Sequence, residues 1–330
     1  MQYTIKYMTS NYQKICQDLI SDLPQRQKEV ILRRFGLKTG ERETLEEIGR
    51  NFGITRERVR QIERDGFLRI KPKLDKYQNI FQSVGQYLKR YGGLRRETIL
   101  LEDLGREKSQ AQIYFLLTLG SNFERFSQNE DFYSLWAIDK KALDLAKKNI
   151  YSILAKLQEI EKPLTLKKIG SFFSFNNQAL ASYLEISKKI QKNNEGFYGL
   201  KDWPEINPRG IKDRAYLVFK KTGKPLHFNE VAKMIEGGLV QTVHNELIRD
   251  QRFVLIGRGI YALSEWGYYP GQVKDVIEKI LKENGPLSKK EILDKTLSQR
   301  LVKENTILLN LSDKKHFLRT SQGKYTIREI

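Results

Sequence analysis

The chain has 330 residues, 39% of them hydrophobic, which is enough to form two or more domains with folded cores. It carries 59 Lys and Arg against 40 Asp and Glu, a formal net charge of +19. This balance predicts a polyanionic partner, nucleic acid before membrane, although a lysine-rich genome would give a similar composition. Cys16 is the only cysteine, which excludes an intramolecular disulfide and fits a reducing cytoplasm.

The sequence gives no sign of a membrane anchor or an export signal. No apolar run approaches the ~18 to 20 residues that a membrane-spanning helix needs. The N-terminal stretch M-Q-Y-T-I-K-Y-M-T-S-N-Y-Q-K is too polar for a signal-peptide core. We therefore expect a cytoplasmic protein with no membrane partner.

Residues 23–70 have the pattern of a helix-turn-helix domain. A first helix is predicted to end near Gly36, and a second begins at Thr44, whose capping-box partner is Glu47. Gly53 supplies the left-handed position of a tight turn, and Thr55 is the N-cap of a third helix. The apolar residues expected to face the core are Val30, Ile31, Leu32, Leu45, Ile48, Phe52, Val59, Ile62, Gly66 and Ile70.

The opposite face of the third helix is basic, with one acid and one amide. Its residues are Arg56, Glu57, Arg58, Arg60, Gln61 and Arg64. In a major groove, Arg can clamp guanine, Gln can bridge adenine and Glu can accept from cytosine, while flanking arginines suit phosphates. The alternative interpretation is a solvated basic helix without a ligand.

Three runs of this segment, R-R-F-G-L, T-L-E-E-I-G and I-T-R-E-R-V-R-Q-I-E, resemble region four of primary-type bacterial sigma factors. That domain reads the promoter −35 element and rests on the flap of the RNA polymerase β subunit, so both become expected partners. The resemblance implies base contacts for Arg56, Glu57 and Gln61. It implies phosphate contacts for Arg34, Thr55, Arg58 and Arg60, and we add Arg64, which lies on the same face.

The departures from that family matter as well. About 20 residues precede the segment and 260 follow it, whereas in sigma factors the domain lies near the C-terminus. The aromatic-rich region two, which melts the −10 element, has no counterpart in the sequence. We therefore expect a chain that is not a complete sigma factor and does not open promoter DNA by itself.

From about residue 80, two phrases recur four times in the same order, which indicates an internal repeat. The first phrase reads G-L-R-R-E-T-I, P-L-T-L-K-K-I, P-L-H-F-N-E-V and P-L-S-K-K-E-I. The second contains Tyr133, Tyr198, Tyr261 and Tyr325, spaced 65, 63 and 64 residues apart. Each unit is predicted to be three helices and a two-stranded hairpin, the plan of a winged helix.

The predicted fold is thus mainly α with small β wings, a helix-turn-helix domain followed by four tandem winged-helix-like repeats. The predicted domains are 1–79 for the helix-turn-helix, then 80–140, 141–208, 209–269 and 270–330 for the repeats. The repeat aromatics are expected to pack in wings and cores rather than to stack on bases.

The third repeat, with P-L-H-F-N-E-V-A-K-M-I followed by V-H-N-E-L-I-R-D-Q-R-F-V-L-I-G-R-G-I-Y-A-L-S-E-W, resembles the HARE-HTH winged-helix module. That module also forms the N-terminal part of the RNA polymerase delta subunit in some bacteria. The resemblance implies contacts with DNA or protein and leaves the choice open.

Catalytic patterns are missing from the sequence. His227, His244 and His316 have no metal-ligand spacing with each other or with Cys16. Neither the phosphate-binding G-x-x-x-x-G-K-[ST] nor G-x-S-x-G occurs. We expect no catalytic residues, no metal and no cofactor. Two interpretations remain: a nucleoid-associated transcription regulator that reads a −35-like element and contacts polymerase, or a chromosome- or plasmid-associated scaffold whose winged helices bind proteins.

Overall fold

The computed structural model describes residues 11–328 and divides into two compact units, Met1–Lys201 and Asp202–Ile330. The protein is mainly helical with small antiparallel sheets, which confirms the predicted fold class. Residues 1–10, which form most of the polar N-terminal stretch M-Q-Y-T-I-K-Y-M-T-S-N-Y-Q-K, lie outside the described residues. Among residues 11–328, no helix is long and apolar enough to cross a membrane.

The helix-turn-helix forms as its caps and glycines predict. Its helices are α1 (Tyr12–Ile20), α2 (Gln25–Phe35), α3 (Leu45–Phe52) and α4 (Arg56–Ile70), followed by a 3₁₀ helix, Lys71–Tyr77. Thr44 and Glu47 make the predicted capping box of α3, and Gly53 ends that helix at φ +64°. The Thr55 side chain accepts from the Arg58 amide at 3.2 Å and so caps α4.

A small separate core sets the angle between α3 and α4. It consists of Val30, Ile48, Val59 and Ile62, with Leu45, Phe52 and Ile54 packed at its edge. The turn is so tight that a Cβ on Gly49 would lie 2.7 Å from the Ile54 carbonyl oxygen. A glycine is therefore required where α3 passes the start of α4.

Four winged-helix-like repeats, called winged helices below, follow along the described part of the chain. The first comprises α5 (Gln78–Arg90), β1 (Leu94–Arg96), α6 (Glu97–Gly105), α7 (Gln110–Leu119), β2 (Glu124–Phe126) and β3 (Leu135–Ala137). The second comprises α8 (Lys140–Ile160), β4 (Leu164–Thr165), α9 (Leu166–Gly170), α10 (Asn177–Ile186), β5 (Ile190–Lys192) and β6 (Phe197–Leu200).

The other two winged helices lie in the second unit. One comprises α11 (Gly210–Thr222), β7 (Leu226–His227), α12 (Phe228–Met234), α13 (Val240–Arg249), β8 (Phe253–Gly257) and β9 (Ile260–Leu263), and ends in a 3₁₀ turn, Ser264–Trp266. The last comprises α14 (Val273–Asn284), α15 (Lys289–Gln299), α16 (Glu304–Leu311), β10 (Phe317–Arg319) and β11 (Tyr325–Ile327).

Among the described residues, three of the four sheets have one strand more than the predicted hairpins. Their orders are β1-β3-β2, β4-β6-β5 and β7-β9-β8, and in the last winged helix Leu287 makes a single bridge to Tyr325 beside β10 and β11. The added strand is the start of the first repeat phrase. It is extended because the last residue of the strand is the N-cap of the next helix, as at Thr165. Two or three residues are too few to show an alternating pattern.

The tyrosine spacing also misplaces one aromatic residue. Tyr198, Tyr261 and Tyr325 lie in the last strand of their winged helices, but Tyr133 precedes β3. The aromatic residue inside β3 is Trp136, which pairs with Arg95 and Arg125 and is 2% exposed. The loop between β2 and β3 is longer than the corresponding loop between β5 and β6. The extra residues place Tyr133 before β3, although its spacing of 65 residues from Tyr198 matches the repeat.

The helix-turn-helix and the first winged helix share one hydrophobic core. Helix α7 packs against α1 and α2, and the rings of Phe35 and Phe115 lie 5.0 Å apart at its centre. Cys16 and Leu19 belong to the same cluster. The division of the chain into five domains stays a prediction, and the first two of them are joined through this core.

Helix α10 joins the first and second winged helices. The Ser182 hydroxyl donates to the Leu94 carbonyl at 2.7 Å, and both residues are buried. The buried Arg95 guanidinium donates to Glu185 at 2.5 Å and to Asp103 at 3.0 Å. This polar network fixes α10 against β1, because breaking it would leave a buried charge without a partner.

Candidate nucleic-acid interface

Helix α4 presents the predicted polar face to solvent. Its apolar stripe, Val59, Ile62, Gly66 and Ile70, is buried against α2 and α3 as expected. The predicted site residues Thr55, Arg56, Glu57, Arg58, Arg60, Gln61 and Arg64 are all exposed. The helix therefore offers one continuous surface that holds seven of the eight predicted contacts, with Arg34 on α2 as the eighth.

Glu57 and Arg60 form a two-pronged ion pair on this face. Arg60 donates from Nε and Nη2 to the two Glu57 carboxylate oxygens at 2.8 and 2.6 Å. The hydrogen bonds from Arg60 lower the pKa of Glu57 below its ordinary value, and the carboxylate in turn raises the pKa of Arg60. Glu57 therefore enters any complex ionised, as an acceptor only, with its charge already balanced by a neighbour.

A second pair lies beside the first. Arg58 donates from Nη1 to the Gln61 side-chain oxygen at 3.1 Å. This contact engages the Gln61 side-chain oxygen, so the amide nitrogen is still able to donate to a ligand. It also restrains both side chains, which are three residues apart on one helical face. The two pairs place the base-reading candidates Glu57 and Gln61 each next to an arginine.

Arg34 differs from the other candidates because it is half-buried and already holds protein partners. It donates to the Glu43 carbonyl at 2.9 Å, and its Nε lies 3.5 Å from the Glu63 carboxylate. Burial raises the pKa of Glu63, and Arg34 opposes that shift. Arg34 therefore ties α2 to α4 in addition to any contact that it makes with a ligand.

Sequence reasoning missed Glu43 and Glu63 as parts of this interface. Glu43 also accepts from the neighbouring Arg33 at 2.8 and 2.6 Å, so it holds two adjacent arginines of α2. Arg34 and Glu63 are 29 residues apart and lie on different helices, so no local sequence pattern predicts their contact. Only the packing of α2 on α4 brings them together.

His227, His244 and Cys16 have structural rather than catalytic environments. Within residues 11–328, no three His, Cys, Asp or Glu side chains are grouped so that they could hold a metal ion. The His227 side chain caps α12, and the His244 ring stacks on Phe228 at 4.2 Å. Cys16 is buried, which raises the pKa of its thiol to about 12, so it is protonated and unreactive near neutral pH.

Residues 19–71 match the sequence model of the family sigma-70, region 4. The helix-turn-helix resembles sigma-70 region 4. The matched segment begins near the end of α1 and covers α2, α3 and α4, so it contains all eight predicted site residues. The four winged helices lie outside it.

Curated relatives match the same part of the chain. RNA polymerase sigma factor SigA of Listeria monocytogenes serovar 1/2a and that of Listeria innocua serovar 6a are each 53% identical to it over 47 residues. The SigA protein of a Bacillus species is 51% identical over 47 residues. Each alignment covers 14% of this chain and 12% or 13% of the relative, so the chain spans only about an eighth of their length in the alignment.

Proposed function

We propose that this chain is a transcription regulator that binds duplex DNA at a −35-like promoter element through α4 and contacts RNA polymerase. The observation that carries the proposal is the exposed polar face of α4 inside the segment that matches sigma-70 region 4. In this assignment Arg56, Glu57 and Gln61 read bases. Arg34, Thr55, Arg58, Arg60 and Arg64 bind phosphates.

The side-chain pairs on α4 support this division of roles. A lone carboxylate near DNA phosphates is repelled, but Arg60 neutralises Glu57 and leaves its oxygens able to accept from a cytosine amino group. Arg58 holds Gln61 from one side, so the amide enters the groove with fewer rotamers to lose. The flanking arginines supply the sequence-independent part of the affinity.

We propose the flap of the polymerase β subunit as the protein partner of this segment, in line with the sigma factors that it resembles. The chain then acts in the cytoplasm, associated with the nucleoid, and not as an enzyme. The first two winged helices do not read DNA with α7 and α10 in this proposal, because both helices are buried inside the first unit. In this proposal any DNA reading by the winged-helix-like repeats falls to α13 or α16.

The decisive experiment measures binding of the full chain to a TTGACA-containing duplex and to a scrambled duplex. Glu57→Ala and Gln61→Ala should each cost about 1–3 kcal/mol on the first duplex and leave the second nearly unchanged. Glu102→Ala and Gln86→Ala, exposed positions in the first winged helix, are the matched controls. Equal losses on both duplexes would remove the base-reading role from these residues.

A second candidate function is a chromosome- or plasmid-associated scaffold. It is favoured by exposed apolar side chains on the third winged helix, since such surfaces commonly bind proteins. These are Met234, Leu239, Val240, Ile248 and Leu255, each at least 45% exposed. Footprinting with and without core polymerase separates the two candidates, because only the regulator predicts a polymerase-dependent change in protection.

We also propose that the chain with core polymerase alone does not melt a promoter. The matched family model is region 4 by itself, the part that in sigma factors reads duplex DNA. Permanganate reactivity of thymines near the start site tests this on linear DNA. Reactive thymines with only core enzyme and this chain present would identify it as an initiation factor instead.

A further inference from the structure

The tyrosines of the repeat have different surroundings in different winged helices. Tyr261 is 3% exposed, as expected for core packing. Tyr133 and Tyr198 are only half-buried, and both line a cleft of about 340 Å³ in the first unit. Because two aromatic rings of the repeat reach one opening, packing alone does not account for them.

The cleft forms where the first winged helix meets the second. The Tyr133 amide donates to the Ile186 carbonyl at 2.9 Å, so the chain before β3 runs beside the end of α10. On the other side, Tyr198 in β6 pairs with Lys192 in β5. These contacts fix the backbone positions from which the two tyrosine side chains reach the cleft.

Cations surround these rings. The Arg96 guanidinium carbon lies 3.7 Å from the Tyr133 ring centre, and the Lys188 ammonium lies 5.5 Å from it. The Lys192 ammonium lies 5.9 Å from the Tyr198 ring centre. Such distances are those of cation–π contacts, and a guanidinium stacked on a ring extends the flat surface that a base can cover.

The cleft has an excess of positive charge. Among its lining residues that the structure describes, the one carboxylate is Glu185, and it accepts from the buried Arg95 at 2.5 Å. The lining therefore holds two cations, Arg96 and Lys192, against one carboxylate. Burial raises the pKa of that carboxylate, and Arg96 as well as Arg95 acts to lower it. An anionic ligand with a flat ring matches this combination, and an apolar peptide does not.

We propose that this cleft binds one nucleotide, with its base stacked on Tyr198 and on the Arg96–Tyr133 pair and its phosphate held by Lys192. Aromatic rings interleaved with cations are the usual means of binding single-stranded nucleic acid without sequence preference. The nucleotide comes either from a single strand or from the free pool. This site is independent of α4, and it takes bases that are already unpaired rather than separating a duplex.

The test uses the full chain and two probes, a labelled oligothymidylate and AMP. Wild-type protein should bind at least one of them saturably. Tyr198→Leu and Lys192→Glu should each weaken that binding about ten-fold, because each removes one stacking surface or one phosphate contact. Tyr198→Phe keeps the ring and should stay within about two-fold of wild type.

Lys89→Glu on α5 is the matched control, because Lys89 is exposed and the substitution changes the net charge as Lys192→Glu does. It should leave binding nearly unchanged, because salt screens the effect of a charge that lies far from the cleft. Circular dichroism and a thermal unfolding midpoint near that of the wild type show that each variant is folded. Loss of oligonucleotide binding in the cleft variants assigns the site to single strands, and loss of AMP binding alone assigns it to free nucleotides. Wild-type affinity in both cleft variants, or no binding of either probe at millimolar concentration, would overturn the proposal.

Discussion

Helices α4 and α10 occupy the same position in two helix-turn-helix motifs, yet only α4 is exposed. The preceding helices even share the pattern T-L-x-x-I-G, at residues 44–49 and 165–170. Both have a side-chain N-cap, Thr55 for α4 and Asn176 for α10. α4 buries one stripe and exposes all six charged or amide side chains of its predicted DNA-facing surface. The residues that α10 buries are Ala179, Leu180, Ser182, Tyr183, Leu184 and Ile186.

A helix in the second position of a helix-turn-helix motif is therefore not necessarily a DNA-recognition helix. On α10, buried residues occur on nearly every side, because β1 of the first winged helix covers the face that would enter a groove. On α4, none of the described residues of the first unit covers that face. The exposure of the helix and the charge of its exposed side chains distinguish a helix that could bind DNA from one that packs against a neighbouring domain.

The largest expected effect concerns the buried helix. Leu180→Ala should lower the free energy of unfolding by about 2–5 kcal/mol, because it deletes a fully buried side chain and leaves a cavity. Gln61→Ala on the exposed face of α4 should change it by less than about 0.5 kcal/mol. Urea unfolding followed by circular dichroism measures both. Similar values for the two variants would contradict the contrast between the helices.

The two T-L-x-x-I-G segments give a sharper test. Gly49→Ala should cost about 1–3 kcal/mol, because its Cβ would lie 2.7 Å from the Ile54 backbone oxygen, which cannot move without opening the turn. At the equivalent Gly170, the nearest atom to an added Cβ is the Leu180 Cδ2 at 3.5 Å, an ordinary contact. Gly170→Ala should therefore be neutral or slightly stabilising. Thermal unfolding of the pair decides, and equal losses would show that the turns are alike.

Charge on the exposed face predicts a smaller effect on DNA binding. Arg58→Ala and Arg34→Ala should weaken binding to every duplex and make the slope of log affinity against log salt shallower by about one unit each. Arg34→Ala should also destabilise the fold, because the half-buried Glu63 loses its partner. A salt titration on a scrambled duplex measures the slopes, with Lys89→Ala as the control. An unchanged slope would place the arginine away from the phosphates.

The smallest expected effect is a protonation shift on α4. Arg60→Ala should raise the pKa of Glu57 back toward its ordinary value, because the hydrogen bonds from Arg60 are what lower it. A depressed carboxylate pKa means that the pair's stabilisation is present above the ordinary Glu pKa and is lost as pH falls through the lowered one. Carbon-detected NMR titration of the Glu57 carboxylate gives the value. No change in the Arg60→Ala variant would show that the pair does not form in solution.

The sequence by itself determined the local structure of the helix-turn-helix. The start of α4 at its cap Thr55, the turn at Gly53 and the buried stripe follow from residues a few positions apart, because caps and the 3.6-residue period are local interactions. The repeat spacing likewise indicated four winged helices, although not that Trp136 rather than Tyr133 occupies the strand.

The tertiary structure alone decided which of these elements reach solvent. Three features join segments that are far apart in the chain. They are the burial of α7 and α10, the contact of Arg34 with Glu63, and the cleft between Tyr133 and Tyr198. The Arg95–Glu185 contact spans 90 residues. Packing of this kind depends on the fit of whole faces, which no local pattern encodes, and it is what separates a helix that can read DNA from one that holds two domains together.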